Sequence, residues 1–90
     1  MTTLTEEWFF KELDSTARRQ YRCFVAEMFL RADQSKYFVC FRPTKNNQGA
    51  ADPYACRYLQ IDLEDVEAAF KDKKLTSAIT KNLEELETLS

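Results

Sequence analysis

Cys23, Cys40 and Cys56 are the side chains of this sequence best suited to nucleophilic or soft-metal chemistry, and no histidine accompanies them. A thiol attacks as its thiolate, so a catalytic cysteine needs a base or a cation beside it. With histidine missing, that base would have to be a lysine or a carboxylate, and no spacing in the chain proposes one. A zinc site fares no better. There is no Cys-x-x-Cys pair, and no imidazole is present to complete a tetrahedron around three thiolates. Each cysteine lies in an apolar or aromatic stretch, where a free thiol serves as a small core residue.

The carboxylates and glycines are equally unpromising for catalysis. Acid pairs such as Glu64/Asp65 and Glu84/Glu85 sit in helical patterns, where neighbours diverge rather than converge on one substrate atom. Gly49 is the single glycine, which excludes a glycine-rich phosphate loop; the metalloprotease and EF-hand patterns are also absent. The expectation is a non-enzyme that uses neither cofactor nor metal.

Charge patterning points instead to binding. The net charge is only −2. Residues 17–45 nevertheless carry Arg18, Arg19, Arg22, Arg31, Lys36, Arg42 and Lys45 against Glu27 and Asp33. Both flanking segments, 1–16 and 61–90, are acidic. A basic middle between acidic ends fits either a charge-complementary partner or ends that fold over the middle and neutralise it.

Those residues must be positioned by a small set of elements, because ninety residues with 44% hydrophobic content support one core and one domain, 1–90. Thr3 followed by Glu6 is a capping-box pattern that starts a helix over 3–13, with Leu4, Trp8 and Leu13 as its apolar stripe, widened by Phe9 and Phe10. Segments 19–31 and 36–43 are dense in Tyr, Phe, Val and Cys around the polar tetrapeptide Ala32–Ser35, as expected of a hairpin that pairs Arg31 with Lys36. The competing reading makes 15–32 helical, capped by Ser15, with Tyr21, Phe24, Val25 and Met28 at spacings of three and four. The matched arms around the turn favour the hairpin.

Residues 44–54 read as a loop, 55–61 as a third strand, and 63–73 as a helix capped by Asp62. A last helix over 76–89 lines up Leu75, Ile79, Leu83 and Leu86, with Leu89 close by. The resulting fold class is α+β: a small antiparallel three-stranded sheet with an N-terminal helix and one or two C-terminal helices, in the order α-β-β-β-α-α.

Strict alternation from the turn then assigns two faces to the hairpin. One carries Phe24, Ala26, Met28 and Leu30 opposite Pro43, Phe41, Val39 and Tyr37, a core face. The other carries Val25, Glu27, Phe29 and Arg31 opposite Arg42, Cys40, Phe38 and Lys36, with Arg57 as a further candidate. It is too apolar for water and too charged for a core. Phe29, Arg31, Lys36, Phe38 and Arg42, together with Leu83 and Leu86 of the terminal stripe, are therefore the candidate binding residues.

Two functions follow. The first is a non-catalytic protein-binding module, a small inhibitor, adaptor or obligate subunit, whose partner is a second copy or a larger protein. The alternative is a single-stranded nucleic-acid-binding protein using the same basic and aromatic face. The polar, acidic first seven residues lack the basic and apolar regions of a leader, and no apolar run approaches the ~20 residues of a membrane span. With an odd count of thiols, that composition leads us to expect a cytoplasmic protein with no membrane partner.

Overall fold

In a computed structural model, which describes residues 3–44 and 55–89, Thr3 opens the first helix as its sequence pattern predicts. The Thr3 hydroxyl accepts the Glu6 N–H at 3.0 Å, and helix α1 runs Leu4–Thr16. It is longer than expected because Leu13, Thr16 and Ala17 stay on the buried face and Asp14 pairs with Arg18 one turn on. Residues Ala17–Tyr21 continue it as a wider π turn, and Arg22, at φ 54°, reverses the chain into the sheet. Arg19–Arg22 are therefore not strand, and Ser15 lies inside α1 rather than capping a second helix. The buried stripe is Phe9, Leu13 and Ala17 with Trp8 beside it, whereas Leu4 stays exposed.

Strand β1 spans Cys23–Arg31 and strand β2 Lys36–Pro43, joined by one 3-10 turn over Ala32–Gln34 with Ser35 at φ 52°. Arg31 pairs with Lys36, as the hairpin reading expects. Strand β3, Arg57–Asp62, pairs antiparallel with β2, so the sheet order is β1-β2-β3. The expected loop at 44–54 lies, beyond Thr44, outside the described residues. Asp62 precedes helix α2, Leu63–Asp72, without a side-chain capping bond. Helix α3, Ser77–Leu83, starts at Thr76, whose hydroxyl accepts the Ile79 N–H.

The expected helix over 76–89 is α-helical only to Leu83; Glu84–Leu89 tighten into a 3-10 turn. Leu83, Leu86 and Leu89 recur every third residue, which is the 3-10 period, so all three reach the core together. The helices cover one face of the sheet. Phe9 and Leu13 meet Tyr37, Val39 and Phe41 of β2, Leu59 and Ile61 of β3, and Val66, Ala69 and Ile79 from below. The α+β architecture read from the sequence is thus the one observed.

The face assignment needs one correction. The β1–β2 register shifts between Val25 and Glu27, leaving Ala26 as the extra residue of a β-bulge. From Glu27 to Arg31 the predicted pairs hold. Before the bulge every side chain swaps sides: Cys23 and Val25 turn to the core, and Phe24 lies opposite Arg42 on the other face.

Candidate binding face of the sheet

Among the described residues, no helix packs on the second face of the sheet. The β1 side chains there are Phe24, Glu27, Phe29 and Arg31; β2 contributes Lys36, Phe38, Cys40 and Arg42; β3 adds Tyr58, Gln60 and Asp62. The predicted residues Phe29, Arg31, Lys36, Phe38 and Arg42 are therefore brought together on one surface. At its centre the Phe29 and Phe38 rings are stacked, with centroids 5.6 Å apart and planes only 7° from parallel. The Arg31 guanidinium lies 5.9 Å from the Phe38 centroid, and Arg18 lies 5.5 Å from that of Phe24. Phe29 remains 38% exposed and Tyr58 54%, values too high for a core face.

Charge on this surface is mixed at its ends. Arg31 donates to both Asp33 oxygens at 3.3 Å, which holds the Asp33 carboxyl below the usual aspartate range. Lys36 stands opposite Asp62 across the β2–β3 ladder, and Arg42 ends the row beside Phe24.

Other candidates lie elsewhere. Leu83 and Leu86 are fully buried, so the terminal leucine stripe closes the core instead of offering a surface. Arg57 pairs with Phe41 on the helix-covered side, donates from Nη2 to the Thr88 hydroxyl, and keeps its Nε buried without a partner. Cys56 is exposed, contrary to the expectation of three core thiols, while Cys23 and Cys40 are buried. Phe24 and Tyr58 were missed as members of the face. The bulge that turns Phe24 outward leaves no composition signal, but the alternation of Tyr58 with Leu59 and Ile61 would have placed it once the β3 register was known.

Burial pushes the Cys23 and Cys40 thiols up, so both are protonated and weakly nucleophilic near neutral pH. Among the described residues, no group of three or more cysteines or acids is placed to hold a metal ion. Likewise, no described helix is long and apolar enough to cross a membrane. Comparison of the chain with protein-family models, curated proteins and solved structures gives no match.

Proposed function

We propose that this chain is a non-catalytic protein-binding module that engages its partner through the helix-free face of the sheet. The observation that carries the reading is the partly exposed Phe29–Phe38 stack at the middle of the sheet, with Arg31 and Lys36 as the next pair on one side and Arg42 at the far end of the same face. Aromatic anchors with arginine around them are the side chains from which protein interfaces draw most of their energy. The basic flank suits an apolar surface edged by acidic side chains on another protein.

Nucleic-acid binding is the second reading, favoured by the same three basic residues. Stacking platforms for bases need free ring faces, however, and here each ring turns one face to the other while Arg31 approaches Phe38. That arrangement supports protein as the partner.

The test compares the native chain with Phe38→Ser plus Arg42→Glu, and with Phe29→Ser plus Phe38→Ser, after circular dichroism shows each variant folded. Native chain on a resin should retain a host protein through the face, and both variants should lose it. Retention by both variants, or salt-dependent binding of single-stranded oligonucleotides that both variants abolish, would overturn the protein-binding reading.

A further inference from the structure

Among the described residues, the outer edge of β1 is a second surface without a partner, and its chemistry is that of backbone, not of the aromatic face. β1 is an edge strand, and its residues from Ala26 to Arg31 are exposed apart from a half-buried Met28. Which of its peptide groups point outward follows from the ladders. Gln60, opposite Phe38, gives its carbonyl to the Asn82 amide at 3.0 Å, so that pair does not exchange backbone bonds. Along an antiparallel strand the groups of successive residues turn alternately to one neighbour and the other. Phe38 therefore turns its N–H and C=O to Phe29, and the peptide groups of Met28 and Leu30 face outward. Val25 follows the same logic at the far end, and there its outward N–H is taken by Asp14 at 2.9 Å.

We infer that a second copy of this chain docks along this edge, antiparallel, about a two-fold axis at Phe29. In that register Met28 exchanges backbone hydrogen bonds with Leu30 of the second copy, and Leu30 with its Met28, about four bonds in all. The side-chain pattern selects this register. Glu27 falls opposite Arg31 of the second copy, twice by symmetry. A two-fold at residue 27 would set glutamate on glutamate, and one at 31 arginine on arginine. Arg31 is not committed elsewhere by a strong bond, since its 3.3 Å pair with Asp33 is exposed.

The helix side of the edge offers a matching recess. A groove of about 420 Å³ is lined by Glu6, Glu7, Phe10, Lys11 and Met28; Phe10 in its wall is 38% exposed, and Leu30, on the same face of β1 as Met28, is 39% exposed. Leu30 of the second copy, lying opposite Met28, enters that groove, and the reciprocal contact forms by symmetry. The sheet becomes six-stranded, and the two aromatic stacks join into one continuous row. This inference concerns the strand edge and holds whether or not the aromatic face takes a partner.

Sedimentation equilibrium tests it on the purified full chain. The native chain should dimerise reversibly below about 1 mM, the weak limit of specific association. Glu27→Arg and Arg31→Glu should each weaken dimerisation at least tenfold, and an equimolar mixture of the two should form the heterodimer, in which both charge pairs are restored. Leu30→Pro removes an outward N–H and the side chain that enters the groove, but no ladder bond to β2, and should abolish the dimer while circular dichroism stays native. A monomer at about 1 mM, or a dimer indifferent to all these changes, overturns the inference. Phe38→Ser plus Arg42→Glu lies one strand in from the edge and should leave the dimer intact, which separates failure here from failure of the face.

Discussion

The Asp14 carboxylate joins the first helix to the edge of the sheet: Oδ1 accepts the Val25 N–H and Oδ2 accepts Arg18 Nε, both at 2.9 Å. The first bond satisfies an edge donor one residue before the bulge at Ala26. The bond is part-buried, so water replaces the lost acceptor poorly. Asp14→Ala should cost about 2 kcal/mol in urea denaturation, as expected for losing a hydrogen bond to a charged group. Asp14→Asn keeps an acceptor and should cost less than half as much. Equal losses would mean that the charge, and not the acceptor, matters.

Leu86 sits fully buried where the 3-10 turn closes over the core. Leu86→Ala should destabilise the chain by about 2–5 kcal/mol through lost burial and the cavity left behind. Equilibrium unfolding measures this directly. A loss below about 1 kcal/mol would show that the last turn does not pack on the core in solution.

Among the described residues, three that are not glycine, Arg22, Ser35 and Lys73, adopt left-handed backbone conformations, and the one glycine of the sequence is Gly49. Ser35→Gly relieves the Cβ clash in the hairpin turn and should raise stability by up to about 1 kcal/mol, read as an increase in Tm. Lys73→Gly should gain less. Its Nζ lies 3.3 Å from the Phe70 ring centroid and 5.9 Å from that of Trp8, and those contacts would go with it.

Thiol labelling should follow burial. Cys56 is exposed, Cys40 is 4% exposed and Cys23 is fully buried. With a disulfide reagent near neutral pH, one thiol should react promptly and two only slowly or after unfolding. Burial raises the Cys23 and Cys40 thiols, so their thiolate fraction, and with it their labelling rate, should still be climbing with pH above the ordinary cysteine range. Prompt reaction of all three would mean that the sheet opens readily.

The residue pattern by itself determined much of this protein: the Thr3 cap, the hairpin register at Arg31–Lys36, the third strand, the C-terminal helices and five residues of the aromatic and basic face. These are local properties, set by capping, turn chemistry and a period of two that counts outward from a short loop. Tertiary structure alone decided the rest. The bulge at Ala26 exchanged Val25 for Phe24 on the open face because the core takes Cys23 and Val25 beside Pro43 and Phe41, a fit between elements that no local pattern encodes. Packing likewise buried Leu83 and Leu86, turned Arg57 inward and left Cys56 outside. The free edge from Glu27 to Arg31 became visible only once strand order and helix placement showed which side of β1 nothing among the described residues covers.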